Sequence, residues 1–307
     1  MKAAFFRRYG PPEVLEYGEL PDPVPGPGEV LVDIHAASVN AADWKQRAGQ
    51  YPSKVSMPHI PGRDFSGVVA ALGKGASDFK PGDAVFGVCV VPAESAYAEK
   101  IALNQEIVAR KPERFSHAEC AAAGLAALTA LISVEDTLQL KAGETVLIHG
   151  GAGGVAGFGI QLAKHLGARV ISTASASNHD YVRALGAEVV IDYRAQDFTR
   201  AVSGCDAVFD TVGGDVTARS FAVLRPGGRL ASIAGGAQAA ASPRADVSSL
   251  RPSVGRSRRH LERVTALMES GVLRLPEISL FPLSQAAAAH RVSEARHLRG
   301  KLVLQVR

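Results

Sequence analysis

The sequence predicts an α/β chain in two parts, a doubly wound parallel sheet in the second half and a β-rich unit before it. Three observations carry this. Thr145-Val146-Leu147-Ile148-His149 runs into the glycine cluster Gly150-Gly151-Ala152-Gly153-Gly154, and apolar residues then recur at Val155, Phe158, Leu162 and Leu166. That is a strand, a tight turn and a helix burying one face. After Ser116, strand-like and helix-like segments alternate, which favours parallel strands joined by helices. Before Lys111, short alternating runs are broken by proline and glycine, the texture of a compact, mostly antiparallel β unit.

In chain order, Pro21, Pro23, Pro25 and Pro27 punctuate a connector, and Glu29 to Ala36 then alternates like a half-buried strand. Further strands are expected at Phe65 to Leu72, Ala84 to Val90 and Ala96 to Leu103, separated by Gly73, Gly75 and Pro81-Gly82-Asp83. Ser116-His117-Ala118-Glu119 matches a capping box and opens an alanine-rich helix to about Val134. Parallel strands follow at Val146 to Ile148, Ala168 to Thr173, Val189 to Ile191, Ala207 to Asp210 and Arg229 to Ile233. Gly235 to Pro252 places no element. Helices follow at His260 to Ser270 and Ser284 to His297, then a strand from Lys301 to Val306 that returns to the first unit. The boundaries implied are 1–118 completed by 272–307, and 119–271.

Bulk properties exclude several classes. The 307 residues, 47% hydrophobic and 21% charged, are those of an ordinary globular chain of about two domains. A net charge of +4 is small and scattered, and Arg256-Ser257-Arg258-Arg259 reads as the start of a solvated helix, so no nucleic-acid partner is expected. No apolar run reaches the roughly 20 residues a bilayer requires, so no membrane association is expected. Charges at Lys2, Arg7 and Arg8 argue against a signal peptide, which points to a cytoplasmic protein. Cys89, Cys120 and Cys205 are far apart and form no C-x-x-C, consistent with reduced thiols.

Gly151, Gly153 and Ala156 satisfy G-x-G-x-x-A, in which glycines allow the turn and the close approach of backbone to a diphosphate at the helix start. Gly150, Gly151, Ala152, Gly153, Gly154 and Val155 are therefore the expected cradle, a flexible loop being the plainer reading. Ligands of a doubly wound sheet sit at the carboxyl ends of its strands. The nucleotide is thus expected along Gly150 to Val155, Thr173 to Asn178, Asp210 to Gly214 and Ala234 to Gly236. The loop Thr173-Ala174-Ser175-Ala176-Ser177-Asn178 has no carboxylate to repel a 2′-phosphate, and Ser175 and Ser177 can bond one, so NADPH is expected over NADH. Ser177 with Asp180 also reads as a helix cap. Nine histidines form no H-E-x-x-H, no metal site is expected, and G-x-S-x-G is absent. Hydride transfer remains.

These residues resemble the medium-chain dehydrogenase/reductase superfamily, specifically its zinc-free quinone oxidoreductase branch, with enone and alkenal reductases close by. The resemblance rests on Tyr9-Gly10-Pro11-Pro12-Glu13-Val14-Leu15, Pro27-Gly28-Glu29-Val30-Leu31-Val32, Ser38-Val39-Asn40-Ala41-Ala42-Asp43 and Pro61-Gly62-Arg63-Asp64-Phe65-Ser66-Gly67. It continues in Phe79-Lys80-Pro81-Gly82-Asp83, Gly124-Leu125-Ala126-Ala127-Leu128-Thr129-Ala130, the glycine cluster and Gly300-Lys301-Leu302-Val303-Leu304. It implies a GroES-like catalytic domain and a Rossmann NADP-binding domain. Asn40 and Arg63 stand where zinc-dependent relatives carry Cys and His. Asn40 is implied beside the nicotinamide, bonding the substrate oxygen or ribose, and Tyr51 in the quinone pocket as a proton donor. Thr129 is implied at the nicotinamide, and Tyr193 and Lys301 near the adenosine 2′-phosphate. Beside each stands a structural reading: a turn residue for Asn40, a loop aromatic for Tyr51, a self-bonded helix threonine for Thr129, surface residues for Tyr193 and Lys301. Many relatives have arginine where Ser177 stands, and 237–259 matches poorly. The resemblance implies a homodimer acting on a small-molecule quinone or enone. The alternative is a nucleotide-binding sensor, RNA-binding or structural protein with little catalysis.

Overall fold

The computed structural model describes every residue except Pro52, Val91, Glu94, Gly236, Ala237 and His297. The chain divides into two compact units, Met1–Leu125 with Arg256–Ala266 and Leu275–Arg307, and Ala126–Gly255 with Leu267–Arg274. The first division falls inside a helix, after Leu125, where the sequence had suggested residue 118.

The first unit opens with β1 (Lys2–Phe6) and β2 (Leu15–Glu19), an antiparallel pair. Then come β3 (Glu29–Val39), α1 (Ala41–Arg47), β4 (Asp64–Leu72), β5 (Ala84–Val88), β6 (Lys100–Asn104) and β7 (Val108–Arg110). Val30, Val32, Ile34 and Ala36 are buried at alternate positions of β3, so its period-2 pattern faces the core. Helix α2 (His117–Leu131) carries the chain into the second unit and continues as a π-helical turn at Ile132–Thr137. Its cap is as expected: Ser116 N–H donates to Glu119 Oε2 at 2.7 Å, and Glu119 N–H to Ser116 Oγ at 3.2 Å.

The second unit contains β8 (Thr145–His149), α3 (Gly154–His165), β9 (Arg169–Ala174), α4 (His179–Leu185) and β10 (Val189–Asp192). It goes on through α5 (Phe198–Ala201), β11 (Cys205–Asp210), α6 (Asp215–Ser220), β12 (Leu224–Ser232) and β13 (Ser248–Leu250). All six strands are parallel, in the order β10-β9-β8-β11-β12-β13. The chain winds outward from β8 through β9 and β10, then returns to lay β11 on the other side of β8. The switch of direction between β8 and β11 is the crevice of a doubly wound sheet. β13 lies in the stretch where the sequence placed nothing; alanine and serine give it no apolar alternation.

The helix α7 (Arg258–Glu269) follows, and then β14 (Ile278–Pro282), α8 (Ala286–Glu294) and β15 (Lys301–Gln305) complete the first unit. His297, expected at the end of the α8 segment, lies outside the described residues. β15 pairs antiparallel with β3, Leu302 opposite Val39, in a seven-stranded sheet ordered β14-β15-β3-β4-β5-β7, with β6 also on β3. The terminal strand therefore does return to the first unit, and it brings Lys301 beside the end of β3.

Two expectations need correction. No element was placed between Val39 and Phe65, yet that segment contains α1, whose mixture of Asp43, Trp44, Lys45 and Gln46 shows no helical stripe because it is buried on several sides. An apolar run long enough to cross a bilayer does exist: the helical stretch His117–Thr137 passes on length and composition, with 78% of its most apolar window buried in the protein. Its alanines, Ala121, Ala122 and Ala123, are 0% exposed. Core packing explains the apolarity.

Gly67 on β4 lies where β3 comes closest; a Cβ there would stand 2.1 Å from the Asp33 carbonyl oxygen. Gly67→Ala is expected to cost about 3 kcal/mol, an overpacking penalty, read by urea unfolding; a variant as stable as the parent would show that the strands can part freely.

Candidate functional site

In the second unit the site is made of backbone. β8 ends at His149, and Gly150 follows with φ +78°, a conformation glycine adopts without strain. Gly150 N–H donates to Thr173 Oγ1 at 3.2 Å, Gly151 N–H to the Thr173 carbonyl at 2.9 Å, and Gly153 N–H to the Gly150 carbonyl at 2.9 Å. A Cβ on Gly151 would come within 2.3 Å of Ser172 Oγ, so the turn lies directly on β9. With those three donors used to hold the turn, the first-turn N–H groups of α3, on Gly154, Val155 and Ala156, are left at the positive end of the helix. The arrangement fits a diphosphate. Gly157 and Gly159 let α3 close on Leu185 and the Phe209 ring, at 3.3 and 3.1 Å from where their Cβ atoms would be.

The other strand ends are pinned by side chains. Asp210 Oδ1 accepts from the N–H groups of Val212 and Gly213 at 2.8 and 3.1 Å, and Oδ2 from the hydroxyls of Thr217 and Ser232. The Ala234 carbonyl accepts from Ser232 Oγ at 3.1 Å and Arg251 Nη1 at 3.2 Å. Gly236, expected beside it, lies outside the described residues. Thr129, on α2, is 7% exposed.

After β9, Ser175 Oγ and Ser177 Oγ are 3.3 Å apart, and Asn178 Nδ2 donates to Ser175 Oγ at 3.0 Å. The Ser177–Asp180 cap is not made; Asp180 pairs with Arg183 at 3.3 Å instead. β10 runs beside β9 with Asp192 opposite Ala174, so Tyr193 and Arg194 emerge next to Ser175. Tyr193 is 51% exposed, with the Arg194 guanidinium 5.7 Å from its ring centre. The fingerprint directs attention to the loop after the second strand, so it misses Arg194; the parallel register supplies it.

In the first unit the candidates meet in a buried charged cluster. Asn40 caps α1, and its N–H donates to Asp43 Oδ2 at 2.8 Å. Asn40 Nδ2 donates to Asp64 Oδ1 at 2.9 Å, and its Oδ1 accepts from Lys301 Nζ at 2.7 Å. The second Nδ2 hydrogen has only long contacts, 3.3 and 3.4 Å, to Ser38. Lys301 is 5% exposed and also donates to the Val39 carbonyl at 3.1 Å. Lys301 therefore lies in the polar cluster of the first unit, 2.7 Å from Asn40.

Tyr51 lies against Arg63, which donates from Nη1 to the Tyr51 hydroxyl at 3.1 Å and stacks its guanidinium 4.4 Å from the ring centre. Arg63 Nε is 3.9 Å from Asp43 Oδ1, and the Tyr97 hydroxyl donates to Asp43 Oδ2 at 3.0 Å. Burial pushes the Asp43 carboxyl up to about 7, against the opposing charge of Arg63. Burial likewise raises Asp64 and lowers Lys301, each opposed by the other's charge. Asp43 and Asp64 carried no signal in the sequence beyond their place in family-like motifs. Among the described residues no group of three or more His, Cys, Asp or Glu side chains is placed to hold a metal ion.

A six-stranded parallel sheet with a glycine turn at its switch point, and a separate β-rich unit with a buried polar cluster, define a two-domain dehydrogenase/reductase architecture. Residues 26–113 match the alcohol dehydrogenase GroES-like domain, and residues 185–304 match the zinc-binding dehydrogenase family. A quinone oxidoreductase of Pseudomonas aeruginosa is 33% identical over 97% of this chain and 98% of its own. The structure of the quinone oxidoreductase from Coxiella burnetii superposes with a TM-score of 0.92, at 36% identity, covering 100% of this chain and 99% of the other. That of the Escherichia coli quinone oxidoreductase complexed with NADPH gives 0.90, at 28% identity, covering 100% of both. The chain is also 31% identical, over 98% of its length, to a mycocerosic acid synthase-like polyketide synthase of Mycobacterium tuberculosis, of which it spans only 15%. The chain belongs to the zinc-independent quinone oxidoreductase branch of the medium-chain dehydrogenase/reductase superfamily.

His149, beneath the glycine turn, bonds Ser220 Oγ at 3.0 Å and Thr173 Oγ1 at 3.2 Å, and burial lowers its pKa to about 4. An unfolded chain takes up this proton near pH 6.5 and the folded one only near 4, so stability is lost as pH falls through that window. Thermal unfolding between pH 6.5 and 4 should decline less steeply in His149→Gln than in the parent; equal slopes would show that His149 does not contribute.

Proposed function

We propose that the chain is an NADPH-dependent oxidoreductase that reduces a quinone or an α,β-unsaturated carbonyl without a metal. The observation that carries this reading is the glycine turn at the sheet's switch point, with a carboxylate-free, hydroxyl-rich loop beside Tyr193 and Arg194. The NADPH complex of the Escherichia coli relative supports the cofactor, and the quinone oxidoreductase relatives support the acceptor class. A homodimer and a cytoplasmic location are part of the same proposal.

NADPH, when bound, supplies the hydride. Gly154, Val155 and Ala156 would hold its diphosphate through their N–H groups, and Ser175, Ser177, Tyr193 and Arg194 its adenosine end. Arg194 is the only one of these four with a full positive charge for the 2′-phosphate. Thr129 and the Ala234 backbone are the remaining candidates for the nicotinamide side.

Among the cluster residues, Lys301 fixes the Asn40 amide: with its oxygen toward the ammonium, its nitrogen must face Asp64. One Asn40 N–H is spent on Asp64, and the weakly engaged one is the donor available to a substrate oxygen or a ribose hydroxyl. Such a donor, aimed where negative charge develops, is worth about 3 kcal/mol. Tyr51 would deliver the proton; its hydroxyl oxygen accepts from Arg63, and its own hydrogen can donate.

With NADPH and a panel of quinones and enones, the protein should consume NADPH at least with one acceptor. Binding of NADPH with no turnover across the panel would favour a nucleotide-binding sensor instead. Arg194→Ala should raise the KM for NADPH about tenfold, the loss of one charged hydrogen-bonding partner, and leave the KM for NADH unchanged. An equal rise for both cofactors would remove Arg194 from the 2′-phosphate site.

A further inference from the structure

Asp43 is buried, 1% exposed, and has no chemical part in the reaction proposed above, yet it bonds the backbone of Asn40 and faces the arginine that carries Tyr51. As third residue of α1 it makes one half of a helix cap, accepting the Asn40 N–H. A cap does not require burial. On α2 the same task is done by Glu119 at the surface. Burying a carboxylate is unfavourable unless charge and hydrogen bonds repay it, so what Asp43 faces distinguishes it from Glu119. Its Oδ2 accepts from Asn40 N–H and from the Tyr97 hydroxyl, and its Oδ1 faces Arg63 Nε at 3.9 Å. The Arg63 guanidinium in turn carries Tyr51, by a stack on its ring and a hydrogen bond to its hydroxyl.

We infer that Asp43 is a positioning residue that couples the two candidate catalytic side chains, one carboxylate oxygen fixing the backbone of Asn40 and the other orienting the guanidinium on which Tyr51 rests. The inference rests on reading Asn40 and Tyr51 as the catalytic pair. Among the described residues the cluster sets the Asp43 and Asp64 carboxyls beside Arg63 and Lys301, and the neighbouring Arg47 of α1 pairs with Glu294 of α8. Neutralising Asp43 leaves the Arg63 cation without that partner and presents an amide to it. Arg63 and Tyr51 then shift together, while Asn40 can keep an acceptor for its N–H.

The test is a double-mutant cycle on the full chain with NADPH and the best acceptor. Asp43→Asn should lower kcat about tenfold and change the KM for NADPH less than about twofold. Tyr51→Phe should lower kcat similarly, and the double variant should be no slower than the slower single one, because both break one unit. Multiplying losses would overturn the inference, as would an Asp43→Asn enzyme with the parent's kcat. If Asp43→Asn does not fold, as judged by far-ultraviolet circular dichroism, Asp43→Glu replaces it in the same cycle. That change keeps the charge and moves it by one methylene from Arg63, and the same non-additivity is expected. A readout independent of turnover separates this inference from the proposed activity. In protein labelled with 13C-tyrosine, the Tyr51 signal, assigned by its loss in Tyr51→Phe, should move in Asp43→Asn. A stationary Tyr51 signal overturns the coupling; a moving one with no turnover in the parent overturns only the activity.

Discussion

A carboxylate sealed from water has to be surrounded by donors, and Asp64 is such a group, 0% exposed at the first position of β4. Its oxygens accept from Ser38 Oγ at 2.8 and 2.9 Å, from Asn40 Nδ2 at 2.9 Å and from the Leu125 N–H at 2.9 Å. Lys301, from β15, supplies an opposing charge. These partners come from the end of β3, the cap of α1, helix α2 and the last strand of the chain. Satisfying one charge therefore fixes where four segments meet. It also explains Gly124: a Cβ there would lie 2.9 Å from Asp64 Cβ, so only a residue without one lets α2 bring the Leu125 N–H so close.

The two units hold their polar groups by different means. In the second, the groups offered to a ligand are backbone N–H groups at a helix start, and the side chains around them only pin the turns, as Thr173 and Asp210 do. Backbone donors tolerate many side-chain changes but few changes in glycine. In the first, the candidates are side chains held by charges, where the loss of one partner leaves another charge buried and unmatched. The same reasoning accounts for the neutral histidines. His59 and His290 are buried near Arg63 and Arg47, and burial followed by the like charge lowers them to about 4 and about 3.

Much of the second unit was legible because local rules suffice there: β-branched runs, a glycine turn and an apolar helix stripe state strand, loop and helix without reference to anything distant. The β13 strand escaped, since its alanine- and serine-rich surroundings have no alternation. In the first unit α1 was missed for a related reason, its buried face containing Asp43, Gln46 and Arg47, polar residues whose burial depends on partners far away in sequence. Arg194 was illegible until the register of β10 on β9 set it beside Ser175. Lys301 was visible as a residue, but only the pairing of β15 with β3 decides that its ammonium reaches Asn40.

By itself the sequence determined the class of fold, the glycine cradle with its small residues, the absence of a carboxylate after β9 and the candidacy of Asn40 and Tyr51. The first three depend on residue type and short spacing, which the chain carries openly; the candidacy of Asn40 and Tyr51 came from the family resemblance of the motifs around them. Tertiary structure alone decided that Asn40 faces Lys301 and Asp64, that Tyr51 rests on Arg63, and that Asp43 stands between them. Those contacts join residues up to 261 positions apart, and a buried charge finds its partner through the path of the whole chain, which no local pattern records.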